Sequence, residues 1–265
     1  MPLRPFFAVV AFCSLAAWSA AQAPTYSGAG LVNSADNQIG ALAPNTIATL
    51  YGQNLAWGTR ALTASDIGGG ILPTVLPNTG VFVTVGGVMA TPYYVSPTQI
   101  NFLVPICLLT GTVNLQVVVD GWAGPAIPVQ LNAAAPALFQ MDSQTAVATS
   151  ATGAVLTSSA PAHPGDLVVL YATGLGQTDP TAVYRQLPKT AAPLARLADF
   201  SILLDGVPVD RSLIAYAGIA PGFAGLYQIN VTLPAGTGPS PEIRIGLGDA
   251  LSPAGIHLPV TAPGS

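Results

Sequence analysis

Charge is what this sequence has least of. Of its 265 residues, 7% are Asp, Glu, Lys or Arg, against roughly a quarter in ordinary globular domains. Glutamate occurs once, at Glu242, and lysine once, at Lys189. Seven basic against eleven acidic side chains leave a formal charge of −4 at pH 7. A nucleic-acid partner requires a basic face to displace counterions from phosphates, so composition excludes that class. The mature surface must be largely Thr, Ser, Asn, Gln and Ala. Its charge changes little with pH, which suits an unbuffered exterior.

Histidine is nearly absent too: His163 and His257 are the two in the chain. Neither has a neighbouring Cys or Glu that would complete a zinc site. No strained Gly-x-Ser-x-Gly elbow accompanies the serines, so a hydrolytic triad is not legible. The aspartates are scattered. Asp120-Gly121 and Asp205-Gly206 read as turn dipeptides, and calcium, which prefers clustered carboxylates and carbonyls, has only the domain junction as a place to bind. The expectation is no cofactor and no metal.

Long apolar runs are confined to the beginning. Residues 1–21 carry Arg4, then "FFAVVAFCSLAAWSA", then small residues at Ser19 and Ala21 before Gln22. This is the pattern of a secretory signal peptide. The run falls short of the ~20 residues that span a bilayer comfortably, and Phe12 before Cys13 is too bulky for a lipoprotein cleavage site. No later segment is apolar enough to span. Cleavage leaves one cysteine, Cys107, so no internal disulfide forms. In "VPICLLTG" it reads as a small buried hydrophobe.

What is present is apolar residue (51%) and chain breakers, 28 Gly and 25 Pro spread along the whole length. That excludes disorder and long helices, and it suits many short strands joined by turns. The strands come in two matching sets. "APNTIATLYGQNLA" (Ala43 to Ala56) pairs with "HPGDLVVLYATGLG" (His163 to Gly176), "VFVTVGGVMA" from Val81 with "FSILLDGVPV" from Phe200, and "VNLQVVVDGWAGPAIPVQL" from Val113 with "IRIGLGDALSPAGIHLPV" from Ile243. Between them "YVSPTQINFLVP" and "GLYQINVTLP" repeat Gln-Ile-Asn. Alternation puts Ile100, Phe102 and Val104 on one face of the strand and Gln99 and Asn101 on the other. In the second copy Tyr227, Ile229, Val231 and Leu233 form the buried row. Order and spacing are kept, so the chain is a tandem duplication. Short alternating strands with a turn every ten or so residues predict an all-β protein of two tandem immunoglobulin-like β-sandwich domains. The expected divisions are a signal peptide over 1–21, a first domain over 22–132 and a second over 133–265.

The blocks "GLVNSADNQIGALAPNTIATLYGQNLA", "VSPTQINFLVP", "AAAPALF", "HPGDLVVLYATGLGQTDP" and "IAPGFAGLYQINVTLP" resemble an uncharacterised C-terminal domain family abundant in Acidobacteria of the Solibacter type. They are also similar to the wider group of IPT/TIG immunoglobulin-like domains. The likeness runs from about Gly30 to Val260. It implies an exported, all-β, non-catalytic module and brings no ligand and no catalytic residues with it. The family usually closes long multidomain exported proteins, and little else is present in this chain.

Candidate contact residues lie in loops. Two long insertions occupy the same place in each copy, "WGTRALTASDIGGGILPTVLPNT" from Trp57 and "QTDPTAVYRQLPKTAAPLARLAD" from Gln177. The second concentrates Tyr184, Arg185, Lys189 and Arg196, three of the few cations beside a tyrosine; the expectation is a solvated loop whose cations pair with nearby Asp, and contact with an anionic partner is the alternative. Trp122 sits at a hairpin tip, where it is expected to fold back over the core edge, with an exposed contact hot spot as the alternative. Tyr51 and Tyr171 recur in register and are expected in or at the edge of each core, with each hydroxyl finding one partner. Asn230-Val231-Thr232 matches a glycosylation pattern but falls within a strand. The functional expectation is a secreted or cell-surface structural or binding module, without nucleic acid or cofactor. Its partner is an envelope or extracellular protein, with a polysaccharide as the alternative. A hydrolase with an unrecognised site and a passive spacer are the other readings.

Overall fold

The structure is a computed structural model that describes residues 22–262; the leader expected over 1–21 lies outside the described residues. Strands follow in chain order as β1 (Thr25–Asn33), β2 (Ile47–Gln53), β3 (Arg60–Ala61), β4 (Val81–Val85), β5 (Val88–Met89), β6 (Thr91–Val95), β7 (Gln99–Leu103), β8 (Gly111–Val119), β9 (Trp122–Ala123) and β10 (Ile127–Leu131). The second set is β11 (Ala137–Leu138), β12 (Ala148–Ser150), β13 (Leu167–Thr173), β14 (Ala192–Pro193), β15 (Phe200–Leu204), β16 (Val207–Pro208), β17 (Ile214–Ile219), β18 (Tyr227–Thr232), β19 (Ile243–Leu247) and β20 (Ala250–Leu251). The described residues contain no α-helix, only three 3-10 turns.

Four sheets form, in the orders β1-β2-β7-β6-β3, β10-β8-β4-β5, β11-β13-β18-β17-β14 and β16-β15-β19-β20. The duplication is visible in the pairing. β2, β7 and β6 lie side by side as β13, β18 and β17 do, and β5-β4-β8 matches β16-β15-β19. Two facing antiparallel sheets make each half an immunoglobulin-like sandwich, so the fold is all-β with two sandwiches in tandem.

The Gln-Ile-Asn strands take the central place that their alternation predicts. Ile100, Phe102 and Val104 are fully buried in the first core with Leu50, Val83 and Val117. Tyr227, Ile229 and Val231 occupy the same row of the second core with Leu170, Ile202 and Ile245. Each fully buried Leu, Val or Phe contributes about 1.5–3 kcal/mol, so these rows fix the register of both sheets. The hairpin turns need positive φ. Asp120 and Gly121 adopt 47° and 85°, and Asp205 and Gly206 adopt 48° and 78°, the pair of left-handed residues that a two-residue hairpin favours.

A third apolar cluster lies between the sandwiches. Leu72, Leu103 and Ala224 are buried there, with Ile47, Tyr93 and Leu187 packed around them. Leu103 faces away from its own core, yet it is 6% exposed because the 219–226 loop covers it. The backbone amide of Ile47 donates to Thr173 Oγ1 at 3.0 Å, and that hydroxyl donates to the Gly225 carbonyl at 2.7 Å. Tyr93 Oη donates to the Ala224 carbonyl at 2.8 Å. The segment between the sheets is held as well. Ala135 donates its amide to the Gly174 carbonyl at 2.8 Å, and its own carbonyl stands where a Cβ on Gly174 would come within 2.0 Å. Gly174, at φ 78°, is thus required on two counts. The two sandwiches are docked through packed side chains and buried hydrogen bonds.

Candidate functional site

The structure does not assemble the loop residues Tyr184, Arg185, Lys189 and Arg196 on one surface. Tyr184 Oη donates to the Met89 carbonyl of the first sandwich. Burial pushes that phenol up from its ordinary pKa, the Arg185 charge lowers it, and Cys107 nearby raises it. Arg185 adopts a φ of 62° and sends Nε to the Leu72 carbonyl at 2.8 Å. Its carbonyl also accepts from the Leu72 amide at 2.7 Å, and the Leu187 amide donates to Gly70 at 2.9 Å. The second insertion is therefore laced to the first, and its Tyr and first Arg hold the junction. Lys189 is exposed. Arg196 Nη2 lies 2.8 Å from Asp199 Oδ2, both half in solvent.

Trp122 stands elsewhere, at the end of the first sandwich opposite the junction. β2 leaves the junction at Ile47 and its continuation reaches Trp57. The indole Nε1 of Trp57 donates to Asp120 Oδ2 at 2.8 Å. Asp120 is the first residue of the β8–β9 turn, and Trp122 follows it on β9. The other carboxylate oxygen sits over Gly80, where a Cβ would meet it at 1.7 Å, so Gly80 leaves room for the acid to face Trp57. Trp57 is 48% and Trp122 52% exposed. Two tryptophans and one carboxylate thus share one tip. Sequence reading picked out Trp122 and Asp120 but not Trp57, because 63 residues separate Trp57 from the acid and no local pattern links them.

Tyr51 and Tyr171 lie on the outward sheet faces. Tyr51 is 41% exposed and donates to Asn37 Oδ1 at 3.1 Å, and Tyr171 Oη lies 3.3 Å from Thr149 Oγ1. Each hydroxyl has its one partner, but the Tyr51 ring is not part of the core, because its strand neighbours Leu50 and Ala48 fill the inward positions. Tyr51 is opposite Gln99 and Tyr171 opposite Gln228. Cys107, expected to be buried, is exposed: the apolar neighbour that goes inward is Ile106.

Among the described residues neither histidine ring is hydrogen-bonded to a Ser, Thr or Cys side chain. His163 Nδ1 is 3.4 Å from Asp166, at the turn entering β13. His257 Nδ1 is 2.9 Å from the backbone carbonyl of Ser240, in an open groove of about 500 Å³ with Asp142, Thr145 and Ser158 on its walls. Among the described residues no three His, Cys, Asp or Glu side chains converge as metal ligands, and no helix is long and apolar enough to cross a membrane.

No protein-family model matches the chain, and no curated protein matches it. Solved structures do overlap with it. One is the surface glycan-binding protein SGBP-B of the Bacteroides ovatus mixed-linkage glucan utilization locus, at 13% identity and TM-score 0.36, over 92% of this chain and 47% of that one. The tandem Ig repeats of Dlar overlap at 12% identity and TM-score 0.21, over 90% of this chain and 95% of that one. Domains 5-6 of the S-layer protein SbsC overlap at 9% identity and TM-score 0.27, over 90% and 99%. The chain spans less than half the length of the first glycan-binding structures it matches. At these identities and TM-scores the likeness assigns neither ligand nor activity.

Proposed function

We propose that the protein is an extracytoplasmic, non-catalytic binding module that meets an envelope or extracellular protein through the Trp57–Asp120–Trp122 tip. The observation that carries this reading is the exposure of both indoles around one carboxylate, at the end of a unit whose other end is fixed. Exposed tryptophans are the side chains most often found as contact hot spots. A carboxylate bonded to one exposed indole and two residues from another favours a cationic group, since an Arg or Lys is attracted both by ring faces and by the acid. The complementary partner is therefore a protein surface presenting a basic side chain. The secretory leader read at 1–21 and the resemblance to exported modules agree with this location. The long loops contribute by locking the two sandwiches together, which keeps the tip at a fixed place on a rigid body.

The test is capture of solubilised envelope proteins by the 22–265 fragment, compared with Trp122→Ala and Asp120→Asn fragments. A partner that is retained by the parent, lost by both variants and weakened by salt supports the reading. Capture that is equal for all three fragments, or absent for all three, rejects it.

A further inference from the structure

The two sandwiches have drifted apart on their outward faces. Thr49 has become Val169, Gln53 has become Thr173, Asn54 has become Gly174 and Trp57 has become Gln177. One group of outward side chains has not changed. Tyr51, Gln99 and Asn101 on β2 and β7 correspond to Tyr171, Gln228 and Asn230 on β13 and β18. A second tyrosine stands opposite the asparagine in both copies, Tyr94 on β6 and Tyr216 on β17, each next to a register shift in its strand. These residues point away from the core, so packing does not dictate them.

Their geometry is shared too. Gln99 Nε2 donates to Asn101 Oδ1 at 2.8 Å, and Gln228 Nε2 donates to Asn230 Oδ1 at 2.8 Å. That bond orients both amides and leaves Gln Oε1 as an acceptor and Asn Nδ2 as a donor, neither engaged within the described residues in either copy. Three of the flanking phenols are pinned: Tyr51 by Asn37, Tyr171 by Thr149, and Tyr216 by the carbonyls of Ile219 at 2.8 Å and Ala192 at 3.1 Å. The rings are held before any ligand arrives, which lowers the ordering cost of binding.

We infer that these are two copies of one binding face for an uncharged polysaccharide, distinct from the tryptophan tip. Each face offers ring surface on both sides of an amide pair that presents one donor and one acceptor, a set that suits adjacent hydroxyls of a sugar. The strip of tyrosines and amides bears no charged side chain, so it is matched to a neutral chain rather than to a basic or acidic one. The repetition points the same way. Ile47 and Thr173 touch across the junction, Tyr51 lies four residues beyond Ile47 and Tyr171 two before Thr173. At roughly 3.3 Å per residue the two faces lie within roughly 25 Å of each other along the strands. Two like faces at a fixed spacing suit a ligand that repeats along its length, as a polysaccharide does. Simultaneous engagement raises affinity by about 10²–10⁴-fold over one face when the geometry permits it.

The experiment is affinity electrophoresis of the 22–265 fragment in gels containing soluble β-glucan, α-glucan, galactomannan or xylan, with anionic alginate as the charged comparison. Isothermal titration with the retained polymer and with its short oligosaccharides follows. The variants are Gln99→Ala with Asn101→Ala, Gln228→Ala with Asn230→Ala, and all four together; Trp122→Ala serves as the control at the other site. The expected result is retention in at least one neutral polymer and at least a tenfold loss for each paired variant on the long polymer. Each pair should lose less on an oligosaccharide that fits one face, and the fourfold variant should not bind. Trp122→Ala should keep binding, and each paired variant should keep the parent's circular dichroism spectrum and melting temperature, which separates recognition from any loss of folding. Retention in none of the four neutral polymers overturns the inference, as does retention that survives the fourfold variant. Because the tip variant leaves these faces intact, failure here and failure of the protein-binding reading are separate results.

Discussion

Asn45 Nδ2 donates to the hydroxyl of Tyr227 at 3.0 Å, joining side chains 182 residues apart across the boundary between the sandwiches. The same hydroxyl donates to the Gly176 carbonyl. Tyr227 is fully buried, and burial raises its phenol well above the ordinary value while the Asn45 bond opposes that rise. One side chain therefore belongs to the second core and to the junction at once.

Removing that hydroxyl leaves a buried amide and a buried carbonyl without their partner, which costs about 1–3 kcal/mol. Tyr227→Phe is expected to lower the unfolding free energy by that amount, read as a lower denaturant midpoint at unchanged slope, without changing secondary structure. In a double-mutant cycle with Asn45→Ala, the coupling should be at least about 0.5 kcal/mol. Strictly additive effects would mean that the bond across the junction contributes nothing.

Glycine at the junction gives a sharper comparison. Gly174 and Gly153 both have positive φ, 78° and 85°. A Cβ at Gly153 meets nothing within 4 Å, whereas at Gly174 it lies 2.0 Å from the Ala135 carbonyl. Gly153→Ala should cost only the left-handed penalty of about 1–2 kcal/mol. Gly174→Ala should cost clearly more and should increase the radius of gyration in solution scattering as the halves separate. Equal losses at the two positions would contradict the docking described above.

Acid sensitivity follows from the carboxylates. Asp66 is held below its ordinary value, first by the Thr63 hydroxyl, then by the Thr63 amide, with Arg60 adding to it. Asp142 is lowered mainly by the Gln144 amide and Asp210 mainly by the Ser212 hydroxyl. Each favours the charged form in the folded state, so its contribution is complete above the unfolded value of about 3.9 and disappears as pH falls through the lower folded value. Asp36 has the opposite sign: burial raises it, so its contribution is present in acid and is lost as pH rises through that raised value. The melting temperature should stay level from pH 8 to about 5 and fall only below about 4. A steep loss between pH 7 and 5 would require groups other than these.

Cys107 gives the simplest check on the corrected side-chain placement. Exposed beside the junction, it should react with a maleimide in the folded protein at a rate near that of a free thiol. Cys107→Ser should change stability by less than about 0.5 kcal/mol. Labelling that needs denaturant would return the residue to the interior.

The sandwiches were legible because their signal is local. Two-residue alternation in "QINFLVP" and "YQINVTLP" specifies which side chains enter the core, and the repeat assigns each strand a counterpart. The junction was not legible, because its contacts are made by residues whose local pattern says outward or loop. Leu103 alternates to the outside of its own sheet and is buried by another domain. Arg185 reads as a loop cation, yet it is spent on a backbone carbonyl 113 residues away. Tyr94 and Tyr216 escaped alignment because they lie five and twelve residues before their glutamines. Only strand pairing, with a register shift in each copy, brings them to the same place.

The junction also shows what a further like unit would meet at either end. It joins the head of one sandwich to the tail of the other, and contacts of that kind between like units build open fibres unless something stops them. Both free ends are altered at the contact positions. At the unused head, Gly165, Asp166 and Leu167 replace Asn45, Thr46 and Ile47, and Asp166 is exposed where Thr46 is fully buried. Docking a further tail there would bury a carboxylate. At the unused tail, Gln53 and Asn54 replace Thr173 and Gly174, so a side chain stands where the incoming carbonyl would have to lie. A further like unit would therefore meet a charge at one end and a bulkier side chain at the other, in place of the contacts that dock these two.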